Sequence, residues 1–81
     1  MAVLKWFERN NAISKSFEFE NYSQSIDFIN SVAVLAEKEN HHPDILIEYC
    51  KVTITLSTHD VGGITAKDYN LAKLIDHIKV L

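Results

Sequence analysis

Apolar and polar residues alternate along two stretches of the chain, residues 13–19 and 45–57. Successive side chains of a strand point to opposite faces, so this period of two predicts half-buried β-strands. A break near Cys50-Lys51 divides the second stretch into two strands joined by a tight turn. Upstream, the apolar residues 3–7 precede Asn10-Asn11, a pair that tolerates turn conformations, which favours a hairpin with the first strand. Two hairpins are therefore expected.

Two further segments carry apolar residues at three- and four-residue steps, the period of an amphipathic helix. The first begins at a cap provided by Asn21 or Ser23 and runs to Asn40. Its apolar stripe is Ile26, Ile29, Ala33 and Ala36. Pro43 stops this helix, because the residue before a proline is pushed into an extended conformation. The second helix opens with the spacing of a capping box in residues 65–68. Its apolar stripe is Leu71, Leu74, Ile75 and Ile78.

The order of these elements is strand, strand, helix, strand, strand, helix. This order predicts an α+β fold in which a four-stranded antiparallel sheet carries two helices on one face. With 81 residues the chain is expected to form a single domain over residues 1–81. A chain of this length buries only about 60% of its unfolded surface, so association with a second copy would add stability.

The net charge of −3 gives no electrostatic footprint for nucleic acid, so direct binding to DNA or RNA is not expected. Cys50 is the single cysteine, which excludes an intramolecular disulfide and a cysteine-based zinc site and fits a reducing compartment. Charged residues at Lys5, Glu8 and Arg9 come too early for a signal peptide or a membrane span. A cytoplasmic protein without membrane association is the expectation.

Three of the four histidines lie at the ends of predicted elements. His41 and His42 follow the first helix, and His59 follows the last strand. A tight turn near residue 50 makes its two strands antiparallel, which returns residue 59 to the level of residues 42–44. The three imidazoles are therefore expected to face one cleft. Histidine exchanges protons near neutral pH, so such a cluster suits the elimination of water by general acid–base catalysis.

Simpler interpretations of the same residues stay open. A His-His pair before a proline is more often a solvated helix end, where an imidazole bonds the last carbonyls. Zinc is disfavoured, because neighbouring side chains of an extended chain point apart and His41 and His42 could not readily bind one ion. Asp68 is most simply the carboxylate of a capping box. Trp6 is more often a core residue than a platform for a flat heterocycle. His77 lies in the last helical turn and is given no role.

One set of spacings resembles the signature of the pterin-4a-carbinolamine dehydratase family. The signature has an acidic residue, three intervening positions, a His-His-Pro, then an aromatic residue, a histidine and an aspartate. The matching residues here are Glu37, His41-His42-Pro43, Tyr49, His59 and Asp68. Residues 49–59 resemble the strand hairpin of the family, and residues 68–72 resemble the start of its last helix. The similarity covers about residues 12–78, with Trp6 as a further match. Family members commonly have another helix before that tryptophan, giving three in all, whereas this chain starts almost at Trp6.

The resemblance implies a dehydratase that removes water from 4a-hydroxytetrahydrobiopterin to give quinonoid dihydrobiopterin in tetrahydrobiopterin recycling. It implies that His41 and His59 act as general acid and base, and that His42 mainly holds the pterin. Neither a metal nor a cofactor is expected, since the pterin is the substrate. The expected pocket lining is Asn40, His41, His42, Ser57, Thr58, His59 and Asp60. Asp68 and Glu37 are candidates to orient a histidine through its ring N–H, with Trp6 in a supporting role.

The resemblance also implies a homodimer or homotetramer. It leaves two alternatives to the enzymatic function. Some family members bind a homeodomain transcription factor and stabilise its dimer, and this chain could be a non-catalytic module of that kind. Other family members occur without aromatic amino acid hydroxylases, which points to a pterin enzyme linked to molybdopterin metabolism.

Overall fold

The computed structural model describes residues 5–80. Along the chain it contains β1 (Phe7–Arg9), β2 (Ala12–Glu18), α1 (Tyr22–Glu39), β3 (Asp44–Glu48), β4 (Lys51–Leu56), a 3-10 turn (His59–Val61) and α2 (Ala66–Asp76). The four strands form one sheet in the order β1-β2-β4-β3, and each neighbouring pair is antiparallel. The predicted α+β class and the antiparallel sheet are confirmed.

The first strand lies later in the chain than the predicted residues 3–7. β1 begins at Phe7 and pairs Phe7 with Ser14 and Arg9 with Ala12. Asn10 and Asn11 both have positive φ, 52° and 60°, so they form a two-residue turn whose flanking residues pair at once. The pairing therefore reaches the residues next to the turn. Residues 3 and 4 lie outside the described part of the chain.

Both helices cover the same face of the sheet. The alternating residues Val52, Ile54 and Leu56 of β4 are fully buried, as the period of two predicts. They join Ile13 of β2 and the helix residues Phe28, Val32, Leu71, Ala72 and Ile75 in one core. On the opposite face, pairs of hydroxyl groups on β2 and β4 bond each other across the strands, Ser14 with Thr55 and Ser16 with Thr53, each at 3.0 Å.

The buried stripe of α1 differs from the predicted one. Its buried residues are Ser25, Phe28, Val32 and Ala36, whereas Ile26 and Ala33 are exposed and Ile29 is half-buried. The helix turns Phe28 toward the sheet, where its ring lies 4.7 Å from that of Phe17 and 5.0 Å from that of Phe19. An aromatic ring buries more area than an isoleucine or an alanine, and this contact selects the face.

On α2 the predicted capping box is present: the Thr65 hydroxyl accepts from the helix backbone and the Asp68 carboxylate accepts from the Thr65 N–H. Leu71 and Ile75 are buried as predicted, but Leu74 is 38% exposed. The helix ends at Asp76, so Ile78 packs against the core from beyond the helix. Within residues 5–80 no helix has the length and apolar character needed to cross a membrane.

Candidate active site

One wall of the candidate site is the turn that ends α1. Asn40 adopts the left-handed conformation (φ 51°, ψ 43°), and its N–H bonds the carbonyls of Ala36 and Glu37. The His41 N–H also bonds the Ala36 carbonyl, at 3.0 Å. Asparagine tolerates this conformation better than most residues, which explains how the helix ends without a glycine. The reversal carries His41 and His42 out of the helix and toward the sheet.

The opposite wall is the loop that follows β4. Thr58 pairs with Gly63 through the hydrogen bonds Thr58 N–H to Gly63 O (2.8 Å) and Gly63 N–H to Thr58 O (3.4 Å). Between them the 3-10 turn His59–Val61 closes on Gly62, whose φ of 65° is a conformation that glycine adopts without strain. This closed loop presents His59 to the end of α1.

The two walls enclose a polar cleft of about 260 Å³. It is lined by Asn40, His41, His42, Ser57, Thr58, His59, Asp60 and Lys67. Every residue predicted to line the pocket is present, and the three histidines face one cleft. The cleft also contains Lys67, which was not predicted from the sequence. Its position in the first turn of α2 could have indicated a role, because a cation there is disfavoured by the helix dipole.

The inner part of the site joins His41 to Asp68. His41 Nε2 lies 2.6 Å from Asp68 Oδ1, and the two side chains are 11% and 0% exposed. Asp68 Oδ2 accepts from the Thr58 hydroxyl at 2.9 Å and from the Thr65 N–H at 2.8 Å. Asp68 therefore serves two purposes, because the carboxylate that caps α2 also meets the ring of His41.

These contacts determine the ionisation of Asp68. Burial alone would raise the pKa of this carboxyl group, but hydrogen bonds from His41, the Thr65 N–H and Thr58, together with the charge on His41, outweigh burial. The result is an Asp68 pKa below its usual value of 3.8. Asp68 is accordingly a carboxylate at neutral pH.

The outer part of the site joins His42 to Glu37. His42 Nε2 lies 2.9 Å from Glu37 Oε2, and the two side chains are 57% and 79% exposed. The sequence had suggested His41 as the partner of Glu37, because the two residues are one helical turn apart. The left-handed residue at Asn40 breaks the helical spacing, and Glu37 meets the second histidine instead.

Trp6 does not line the cleft. Its Nε1–H donates to both carboxylate oxygens of Asp76 at 3.1 Å, and its ring packs edge-on against Phe17 with centroids 6.1 Å apart. His77 also lies elsewhere, where its Nδ1–H donates to the Lys73 carbonyl at 2.7 Å. Trp6 thus ties β1 to the end of α2, and any influence on the cleft is indirect.

A larger concavity of about 430 Å³ lies between α1 and the end of α2. Its lining is mainly aliphatic and consists of Ser31, Val34, Leu35, Leu74, His77, Ile78 and Lys79. It brings together no cluster of proton-transfer groups, so the chemistry of the molecule is concentrated in the smaller, polar cleft.

The chemical capacity of the cleft is proton transfer. Three imidazoles can give and accept protons near neutral pH, and one of them is held by a carboxylate. Across residues 5–80, no three histidine, cysteine or carboxylate side chains converge in a way that could hold a metal ion.

Comparisons with known proteins bear on this cleft. The sequence model of the pterin 4 alpha carbinolamine dehydratase family matches residues 1–78. A protein of Picosynechococcus sp. with a provisional assignment as a pterin-4-alpha-carbinolamine dehydratase is 46% identical over 74 residues, which cover 91% of this chain and 80% of that protein. Among solved structures, a transcriptional coactivator/pterin dehydratase from Brucella melitensis has a TM-score of 0.81 at 33% identity, covering 90% of this chain and 78% of that chain. A pterin dehydratase-like protein identified as a RuBisCO assembly factor in the alpha-carboxysome shares the fold, with a TM-score of 0.73 at 24% identity. The match covers 93% of this chain and 87% of that chain.

Proposed function

The chain belongs to the pterin 4 alpha carbinolamine dehydratase family, and we propose that it removes water from 4a-hydroxytetrahydrobiopterin to give quinonoid dihydrobiopterin. The observation that carries this proposal is the convergence of His41, His42 and His59 on one polar cleft, with His41 held by the buried Asp68. In the cell the reaction would serve tetrahydrobiopterin recycling.

The reaction requires two proton transfers and no change of oxidation state. A general acid protonates the 4a-hydroxyl, which leaves as water with the electron pair of its C–O bond. A general base takes the ring proton, and the electrons of that bond form the new double bond. His41 and His59 are the proposed acid–base pair, and His42 holds the pterin ring.

The remaining groups of the cleft fit the binding of a polar bicyclic ring. Asn40 offers an amide, and the segment from Ser57 to Asp60 offers hydroxyl, imidazole and carboxylate groups. Lys67 adds a cation at the rim. General acid–base assistance contributes about a hundredfold to ten-thousandfold, and positioning of the substrate adds to it, so the equipment of this cleft suffices for a useful enzyme.

The test measures the rate of 4a-hydroxytetrahydropterin dehydration by ultraviolet absorbance. We expect the wild-type protein to accelerate the reaction, and we expect His41→Ala and His59→Ala each to lose about a hundredfold or more of that acceleration. His77→Ala is the matched control, because His77 lies outside the cleft and should leave the rate unchanged. Circular dichroism verifies that each variant is folded. No acceleration by the folded wild type, or equal losses in all three variants, would contradict the proposal.

A second candidate function is protein binding, and the observation that favours it is the similarity to a structure described as a transcriptional coactivator/pterin dehydratase. A pure binding module would be indifferent to His41→Ala and His59→Ala. A pterin enzyme linked to molybdopterin metabolism would depend on the same histidines but prefer a pterin with another side chain. The rate assay with pterins of different side chains separates these cases.

A further inference from the structure

We infer that Thr58 is a positioning residue whose hydroxyl holds the Asp68 carboxylate in place to accept from His41 Nε2 and so strengthens the preference of His41 for the Nε2–H tautomer. The catalytic consequence of this inference rests on the proposed dehydratase function. The chain of hydrogen bonds itself rests only on the positions of the described side chains.

The donors and acceptors of these hydrogen bonds follow from the ionisation of Asp68. Because this group is ionised, it has no proton to donate and can only accept. Oδ1 lies 2.6 Å from His41 Nε2, so the histidine must donate from Nε2. A neutral imidazole carries one proton, which leaves Nδ1 of His41 as its unprotonated nitrogen.

The two threonines donate toward the same carboxylate from the side opposite to His41. Thr58 Oγ1 lies 2.9 Å from Asp68 Oδ2, which is a hydrogen-bond distance. Because the carboxylate can only accept, the single hydroxyl proton of Thr58 points to Asp68. Thr58 Oγ1 is also 2.7 Å from Thr65 Oγ1, and the Thr65 hydroxyl is therefore the donor in that contact. Thr65 Oγ1 in turn accepts from the Lys67 N–H at 3.3 Å. These hydrogen bonds thus run from the first turn of α2 through two hydroxyls and end at Asp68 Oδ2, while His41 donates to Oδ1 of the same carboxylate.

Thr58 also connects the two histidines of the proposed acid–base pair. Its side chain acts on His41 through Asp68, and its backbone pairs with Gly63 in the loop that begins at His59. The residue is only 7% exposed, and its hydroxyl is engaged within the protein. Thr58 therefore belongs to the support of the cleft more than to its contact surface.

Loss of the Thr58 hydroxyl removes one of the two donors to Asp68 Oδ2. Asp68 then remains an acceptor for His41 Nε2, but the Thr65 N–H is the remaining donor at Oδ2 and the carboxylate is held less firmly. Its hydrogen bond with His41 is weaker, so the preference for the Nε2–H form is reduced. A histidine in the other tautomer offers the wrong nitrogen for its proton transfer. Removal of a group that orients a reactive ligand through hydrogen bonds typically costs about ten- to a hundredfold in activity.

The experiment compares Thr58→Val, which keeps the shape and removes the hydroxyl, with Thr58→Ser, which keeps the hydroxyl. Thr55→Val is the matched control, because Thr55 is a neighbouring threonine of β4 whose hydroxyl bonds Ser14 on the other face of the sheet. Nitrogen-15 NMR of the His41 ring at about pH 8, where imidazoles are mostly neutral, reports the tautomer directly. The values of kcat and KM are measured on the same proteins, and circular dichroism checks that they are folded.

We expect the wild type, Thr58→Ser and Thr55→Val to show the Nε2–H tautomer, and Thr58→Val to show a mixture of tautomers. In Thr58→Val we also expect kcat to fall about ten- to a hundredfold with little change in KM. Unchanged ring-nitrogen shifts in folded Thr58→Val would overturn the inference, and Thr58→Ala provides the same test should the valine protein not fold. If the tautomer responds to Thr58 while the wild type shows no dehydration, the hydrogen-bond chain stands and the proposed function fails.

Discussion

His41 and His42 are neighbours in the chain, yet one meets a buried carboxylate and the other an exposed one. The inner pair, His41 with Asp68, has a separation of 2.6 Å and side chains that are 11% and 0% exposed. The outer pair, His42 with Glu37, has a separation of 2.9 Å and side chains that are 57% and 79% exposed. Similar distances therefore describe two very different interactions, because water screens the outer pair and is excluded from the inner one.

The difference in burial shows which pair can hold its imidazole ring in one orientation. A buried carboxylate is tolerated only when each oxygen has partners, and the partners of Asp68 come from the loop after β4 and from α2 as well as from His41. The inner pair is thus part of a rigid network. Glu37 and His42 are mostly in water and hold each other weakly, so the His42 ring is free to adjust to a ligand. A fixed ring suits proton transfer, and an adjustable ring suits the holding of a pterin.

The largest expected effect comes from Asp68→Asn, which tests the strength of the inner pair. Both oxygens of Asp68 accept hydrogen bonds, whereas an asparagine has one oxygen and one NH₂ group. In one orientation its NH₂ group would face the donor His41, and in the other it would face the Thr58 hydroxyl and the Thr65 N–H. We expect the free energy of unfolding to fall by about 2–4 kcal/mol, measured by urea denaturation at neutral pH. Glu37→Gln makes the same chemical change in the outer pair and is the matched control. Equal losses in the two variants would refute the distinction.

A smaller effect is expected from acid, and its sign follows from the lowered pKa of Asp68. The folded protein binds a proton at Asp68 less readily than the unfolded chain, whose carboxyl has the usual value of 3.8. The stability that the ionised carboxylate contributes is therefore fully present above that value and is lost as the pH falls through the lower, folded value.

Urea denaturation of wild type and Asp68→Asn between neutral pH and about pH 2.5 measures this loss. We expect the difference in unfolding free energy between the two proteins to be constant down to about pH 5 and to narrow progressively below about pH 4. A difference that stays constant into strong acid would show that the ionised form of Asp68 contributes nothing to the inner pair.

The convergence of the three histidines was predictable because they stand at the ends of periodic elements. The breaks after residue 39 and after residue 56 of the chain follow from hydrophobic patterning and from Pro43, so His41, His42 and His59 could be placed in one cleft. The capping box likewise placed Asp68 in the first turn of α2. Patterning places residues along elements, and here that was enough to predict that the three histidines lie together.

The pairing of histidines with carboxylates was less predictable. It depends on the left-handed conformation of Asn40, which changes the direction of the chain after α1. Glu37 therefore forms its hydrogen bond with His42. Asparagine tolerates several turn conformations, so its identity does not select one of them. The face of α1 was ambiguous because apolar residues occur on more than one side of the helix. The contact of Phe28 with Phe17 and Phe19 decides between them.

The smallest expected effect comes from Glu37→Gln, and its salt dependence sharpens the comparison furthest. An exposed ion pair contributes about 0.2–1 kcal/mol, and the screening length falls from about 10 Å at 0.1 M salt to about 3 Å at 1 M. We therefore expect Glu37→Gln to lower the free energy of unfolding by less than about 1 kcal/mol at low ionic strength and to match the wild type in about 1 M sodium chloride.

The deficit of Asp68→Asn should persist in the same salt, because ions cannot enter between Asp68, which is 0% exposed, and its partners. Urea denaturation of both variants and the wild type at the two salt concentrations gives four differences in unfolding free energy. If salt removed both deficits equally, the inner pair would behave as a surface pair, and burial could not be what separates the two histidines.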